Sequence, residues 1–313
     1  MRWFDRKGYY EGPAPVRELV TFLTCDGMIP LECVEFGARF CKTQDDRSDM
    51  GMRRRGLIYS NAAELRQDLC KRTYCSLEVG MIIPFGGPEG FSHISLQTWR
   101  DYFKDRHDAF NVMKPLVFDW DLNIEKRDAW NKCDCEKTKV CSLCWAAFAE
   151  PARMALLRVL RFWMGYSQIV CIYSGRRGFH TWVLDKETYH LTVSQRETIV
   201  AKVCSPIKCE PMYEDICSIL LPYHKKYHRH YSRDVWDIFY DLDKEPTLKM
   251  NHMIGVPLMP NAYTGNLRLP IEVVDFDPTR DAKKCTHVSY QRMQEYAEHL
   301  QSPARVKIKR RKK

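Results

Sequence analysis

The chain has 313 residues, 45% hydrophobic and 12% aromatic, with a formal net charge of +9. That composition supports a substantial packed core and excludes global disorder, and the lack of an apolar run of about 18 residues argues against a membrane-spanning helix. Seven positive charges lie in the last nine residues, "RVKIKRRKK", which leaves the body near +2; such a tail reads as a polyanion contact, a nuclear-import patch or a solubilising end.

The first residues, "MRWFDRKGYYEGP", show no apolar core of a secretory signal, and residues 1–30 alternate apolar and turn residues without a clear period. "ARFCKTQDDRSDMGMRRRGLIY" predicts a strand, a polar loop and a second strand. Residues 61–70 begin with an Asn cap and carry helical spacing, and "SLEVGMIIPF" then predicts a strand. "KPLVFDWDLNI" predicts a strand with an acidic end. "WAAFAEPARMALLRVLRFWMG" is the strongest helix, bent at Pro151 and closed by Gly165. "QIVCIYSGRRGFHTWVLD" reads as two strands around a turn, and "SQRETIVAKVCSPI" as a helix. Residues 210–232 are mixed and end in a basic, histidine-rich stretch, and 236–243 read as a short strand. "TGN" turns the chain before "LRLPI", and 288–299 form a late helix.

Three constellations carry chemistry. In "LVFDWDLN", Asp119 and Asp121 are two apart, so a strand aims both carboxylates to one face. Two such groups repel unless a cation joins them, and Mg²⁺ or Mn²⁺ with a substrate phosphate is the natural partner; an incidental pair at a solvent-facing strand end is the alternative. Asp237, Asp241 and Asp243 in "WDIFYDLD" are candidates for a third carboxylate, and pattern alone does not choose among them.

In "YSGRRGFH", the glycines at 175 and 178 allow a tight reversal. Arg176 and Arg177 offer donor forks for phosphate, with Ser174 and His180 beside them. A ligand-free hairpin turn is the alternative, but the acidic strand elsewhere makes a metal–triphosphate clamp the better reading. Cys133, Cys135, Cys141 and Cys144 lie within a dozen residues, the spacing of a structural tetrahedral Zn²⁺ site, with an iron–sulfur centre as the alternative. The other ten of the fourteen cysteines are scattered, often in apolar stretches, and predict reduced thiols in place of a disulfide framework.

Together these motifs resemble the small, catalytic subunit of the archaeal and eukaryotic DNA primase family. "LVFDWD" is similar to its metal-binding strand, "CDCEKTKVCSLCW" to its zinc motif in eukaryotic form, and "YSGRRGFHTWV" to its SGRRGxH signature, the most specific of the three. "EFGARF" resembles an early acidic element and assigns Glu35, although Val34 stands where the family has arginine. "LEVGMI" places Glu78 where the family has aspartate. "LDKEPTLKMNH" selects Asp243 as the third carboxylate and gives His252 a nucleotide contact. "GVPLMPNAYTGN" is similar to a nucleotide-binding segment, but Gly255 replaces its lysine and Asn261 its histidine. The resemblance runs from about residue 32 to 271.

The resemblance implies an α+β Prim-Pol fold with mixed sheets. Residues 1–301 would form the catalytic domain, with a zinc module at 131–146 and a reduced helical insert at about 190–234, and 302–313 a disordered basic tail. It implies synthesis of short RNA primers on single-stranded DNA from ribonucleotides. Asp119, Asp121 and Asp243 would hold two Mg²⁺ or Mn²⁺ ions, and Ser174, Arg176, Arg177, His180, His252, Glu35 and Glu78 would bind substrate. The implied partners are a large subunit with an iron–sulfur domain and a replicative DNA polymerase complex. The implied site of action is the nucleus or the replication site of a eukaryote-infecting virus. A primase-polymerase extending with deoxynucleotides, or a non-catalytic zinc-bearing nucleic-acid subunit, are the competing readings.

Overall fold

A computed structural model of the chain describes residues 4–41, 50–83, 112–130, 132–133, 135, 140–204, 211–228, 235–236, 241–271, 276–283 and 289–301. The expected basic tail, the polar loop at 42–49 and Asp237 lie outside the described residues.

The N-terminal stretch without a clear period forms two helices, α1 (Phe4–Glu11) and α2 (Val16–Leu23). Two turns each are too short to display a period, and it is tertiary packing that stabilises them. Tyr9, Tyr10, Val16, Leu19, Phe22 and Leu23 are all buried.

The two expected strands form as β1 (Val34–Cys41) and β2 (Met50–Leu57), which pair antiparallel, and α3 (Ala62–Arg72) starts where Asn61 accepts the Glu64 N–H at 3.0 Å. β3 (Ser76–Ile82) returns antiparallel to β1. The acidic strand β4 (Leu116–Asp121) leads into α4 (Ile124–Trp130) and the cysteine segment.

The long helix is centred on α5 (Glu150–Arg158), with a wide π turn on each side, Trp145–Ala149 and Val159–Trp163. The expected bend at Pro151 takes the form of the first π turn. Proline has no N–H to give the carbonyl four residues back, which is Ala147. That carbonyl instead meets the buried His228 ring at 3.0 Å through Nε2. Gly165 follows the helix with φ +78°.

β5 (Ile169–Tyr173) and β6 (Gly178–Val183) form the expected hairpin. After α6 (Val193–Cys204), the stretch read as mixed is largely a 17-residue helix, α7 (Pro211–Tyr227), with Pro222 inside it. Met212, Ile216 and Leu220 recur at helical spacing and are buried, which outweighs the basic and proline residues that obscured the pattern. Of the strand expected at 236–243, only β7 (Leu242–Asp243) forms among the described residues. Then come α8 (Glu245–Leu248), β8 (Ile254–Gly255), α9 (Pro278–Asp281) and α10 (Tyr290–Gln301).

The strands make two four-stranded sheets, ordered β2-β1-β3-β8 and β5-β6-β4-β7. The expectation of mixed sheets fails: every pairing among the described strands is antiparallel, made by hairpins and returning segments instead of parallel crossovers. One core joins α1–α3 and the first sheet to Val117, Val170, Ile172 and Trp182 of the second. The other lies between the opposite face of the second sheet and the long helix. The chain from 256 to 271 bridges the sheets: Val256 N donates to Leu77 O at 3.0 Å, and Tyr173 N to Leu269 O at 2.7 Å. No helix among the described residues is long and apolar enough to cross a membrane. Cys75 is disulfide-bonded, so the expectation of reduced thiols outside the cluster fails there, while ten other cysteines among the described residues form no disulfide.

Candidate active site

Strand parity aims the acidic pair. Leu116, Phe118 and Trp120 enter the helix-covered core, and Trp120 stacks on Phe179 at 5.4 Å. Val117, Asp119 and Asp121 therefore take the other face. In the register, Asp119 is flanked by His180 of β6 and by Asp243 of β7. The segment after β7 is anchored from β4 and the residues just before it: Thr247 Oγ1 donates to Val117 O at 2.7 Å, and the buried Lys114 Nζ donates to Pro246 O and Lys249 O at 2.7 and 2.8 Å.

The arginine turn is held closely against this strand. Gly175 takes φ +81°. A Cβ on Gly178 would lie 1.6 Å from the Trp120 carbonyl oxygen and 2.8 Å from Asp121 Oδ1, so no side chain fits there. Ser174 Oγ accepts the N–H groups of Gly178 and Arg176 at 3.1 and 3.4 Å. Arg176 lies over the Tyr263 ring, 4.4 Å from its centroid.

A cavity of about 250 Å³ opens over this end of the sheet, with Asp119, Asp121, Ser174, Arg176, His180, His252 and Glu78 in its lining. Arg177 and Asp243 stand beside them: Arg177 Nη2 meets Asp121 Oδ2 at 3.0 Å, and Asp243 Oδ1 accepts the Glu245 N–H at 3.0 Å. Glu78 is buried between Arg39 and Arg53, at 2.8 and 2.6 Å. Burial pushes its carboxyl up, but the two guanidinium groups outweigh that and hold it below the ordinary value. Glu35 does not line the cavity; its carboxylate receives Arg55 at 3.0 and 3.1 Å and the Met81 N–H at 3.3 Å. Asn261 donates to Ser174 O at 3.1 Å and accepts the Tyr263 N–H at 3.0 Å, so its amide is occupied with backbone.

The charge balance tests whether a divalent cation fits. Burial, with Asp121 and Asp243 adding repulsion, pushes the Asp119 carboxyl well above the carboxylate range. Its Oδ1 has no hydrogen-bond partner, and His180 Nε2 is 3.6 Å away. His180 cannot neutralise it, because burial and then the Arg268 charge push that imidazole down to about 3. Burial also raises Asp121, against the pull of Arg177. Partly satisfied oxygen donors gathered at one strand end suit Mg²⁺ or Mn²⁺.

The four cysteines converge between α4 and the long helix, with all four Sγ atoms within 4.8 Å of one another. Zn–S bonds of about 2.3 Å in a tetrahedron give S···S edges near 3.8 Å, and Cys135 and Cys144 Sγ are 3.9 Å apart. Cys133 Sγ accepts the Cys135 N–H at 3.3 Å and Cys141 Sγ the Cys144 N–H at 3.4 Å, bonds that favour thiolates. The donor set fits one structural zinc. Its fold-side anchors are Trp145, buried next to Cys144, and Ser142 Oγ, which donates to Asp277 at 2.9 Å.

Arg39, Ser76, Tyr263 and Arg268 also line the cavity and were not singled out in the sequence. Arg268 carried one usable signal: a lone arginine at a buried position inside the apolar run "LRLPI".

Two antiparallel sheets with an acidic, arginine-edged cavity at their junction define the class, a Prim-Pol-related fold. The fold is similar to the polymerase domain of Mycobacterium tuberculosis Ligase D, solved in complex with DNA. The TM-score is 0.50 at 13% identity, covering 96% of this chain and 93% of that one. The family model of the DNA primase small subunit matches residues 118–273, which contain the aspartates, the arginine turn and the cysteine cluster. It is 40% identical over 87 residues to the DNA primase small subunit of Saccharomyces cerevisiae, which is 28% of this chain and 20% of that protein. To the Drosophila melanogaster subunit it is 31% identical over 137 residues, 44% and 28% of the two chains. The matched stretches thus span less than a third of those relatives' own lengths.

Proposed function

We propose that the chain is a DNA primase, a nucleotidyltransferase that makes short RNA primers on a single-stranded DNA template by two-metal catalysis. The observation that carries this reading is the register of β4, which brings Asp119 and Asp121 beside Asp243 and under the Ser174–Arg177 turn. Divalent ions held by those three carboxylates would supply charge neutralisation on the triphosphate and activation of the attacking 3′-hydroxyl. Arg176, braced on Tyr263, and Ser174 orient phosphate oxygens. Neutral His180 serves as a hydrogen-bond donor that adds no charge, and His252 borders the same space. Arg177 holds Asp121 in place through their ion pair. The zinc module has four protein ligands and no open position, a structural part.

The match of residues 118–273 to the DNA primase small-subunit model supports single-stranded DNA and nucleoside triphosphates as substrates. A large subunit with an iron–sulfur domain, a replicative polymerase complex, and action in the nucleus or at a viral replication site belong to the same proposal. The test is primer synthesis on single-stranded DNA with and without Mg²⁺ or Mn²⁺, offering ribo- and deoxynucleotides together. Metal-dependent ribonucleotide primers, lost in Asp119→Ala/Asp121→Ala with zinc content intact, support the reading. Deoxynucleotide products would make it a primase-polymerase, and full activity of the double variant would remove the site.

A further inference from the structure

Gly255 leaves the cavity wall without a side chain, and the Arg268 guanidinium lies against its backbone. A Cβ on Gly255 would fall 2.2 Å from Arg268 Nε and 2.4 Å from its Cζ. Arg268 comes from the segment that bridges the two sheets and is only 5% exposed, yet it lines the same cavity as Asp119, Ser174 and Arg176. Its hydrogen bonds go to neutral acceptors: Nη1 to Pro260 O at 2.7 Å and Met259 O at 3.3 Å, and Nη2 to Ser76 Oγ at 3.0 Å. Nε has no partner. Carbonyls fix a guanidinium in place without cancelling its charge, and a buried charge is costly until an anion joins it. The neighbouring cations are engaged, Arg39 with Glu78 and Arg177 with Asp121.

We propose that Arg268 is a phosphate-binding cation of the cavity. It reaches the triphosphate of the incoming nucleotide from the wall at Gly255, and only glycine at 255 lets it lie there. This rests on the nucleotide-pocket reading above. The rival is an internal counter-ion that serves Glu78 and Asp119 and touches no substrate.

The test measures binding of a nucleoside triphosphate with Mg²⁺, and of the parent nucleoside by competition, to the full chain. The variants are Arg268→Gln, which keeps donors and removes charge, and Gly255→Lys/Arg268→Ser, which moves the cation into the vacated space. Thermal melts accompany each. Arg268→Gln is expected to lose about tenfold or more in triphosphate affinity with nucleoside affinity unchanged, and the double variant to recover most of that loss. A folded Arg268→Gln that binds triphosphate like the parent overturns the assignment, as does a folded double variant that binds no better than Arg268→Gln. Should Arg268→Gln not fold, the double variant decides alone: folded with near-parental triphosphate affinity, it supports the assignment. Failure of both to fold makes Arg268 a packing group and ends it. A parent chain that binds no triphosphate removes the pocket reading itself, a separate failure.

Discussion

Replacing Asp119 with asparagine should make the protein more stable in the absence of added divalent ions and inactive in their presence. Asp119 sits between His180 and Asp243 in the register, with Asp121 two residues on, and its Oδ1 has no hydrogen-bond partner. Its side chain is 22% exposed, so water relieves part of the repulsion. An amide of the same shape removes that repulsion and can donate as well as accept. Relief of a largely buried, incompletely compensated charge is worth about 1–3 kcal/mol. For a chain of this size each kcal/mol moves the melting temperature by roughly 2–4 °C, so a rise of a few degrees is expected. Divalent ion at about 100 times its dissociation constant should stabilise the parent by about 2.7 kcal/mol, and asparagine at 119 should remove most of that gain. The assay is differential scanning calorimetry of parent and Asp119→Asn, without added divalent ion and with a Mn²⁺ titration, without chelator so that zinc is retained. A variant no more stable than the parent without added ion, or an equal Mn²⁺ shift in both, would refute the reasoning.

Gly178→Ala should cost at least about 1–3 kcal/mol in denaturant unfolding, because its Cβ would overlap the Trp120 carbonyl and force β6 away from β4; an unchanged midpoint would contradict the close approach. Cys141→Ser should lower the single zinc found by elemental analysis and destabilise the module, since structural zinc binding is part of folding energy; a metal-free but equally stable parent would overturn the assignment. Glu78 has a folded-state pKa held down by Arg53 and Arg39, so its contribution is fully present above the ordinary glutamate value of about 4.3 and lost as pH falls through the lowered one. The melting temperatures of parent and Glu78→Gln should therefore differ most near neutrality and converge in acid, and a pH-independent difference would count against the ion pairs as its source.

Local chemistry was legible wherever the spacing of neighbours decides the outcome. The two-residue period of β4 determined that Asp119 and Asp121 share a face, Asn61 marked the start of α3, and the four cysteines lay close enough in sequence to converge on one metal. Short helices at the N-terminus were not legible, because eight residues hold too little pattern and their stability comes from burial against the first sheet. The sequence by itself also carried the SGRRGxH turn and its pairing with acidic residues as a chemical type. Only the tertiary structure paired β7 with β4, so that Asp243 stands opposite Asp119 while Asp241 is taken by Lys126 at 2.7 Å. The same is true of Arg177, drawn to Asp121, of Glu35, drawn to Arg55, and of Arg268, which passes over a glycine thirteen residues earlier in the chain to face the cavity. A side chain's partner is set by which strands meet and how closely their backbones approach, and that is a property of long-range packing that no local spacing encodes.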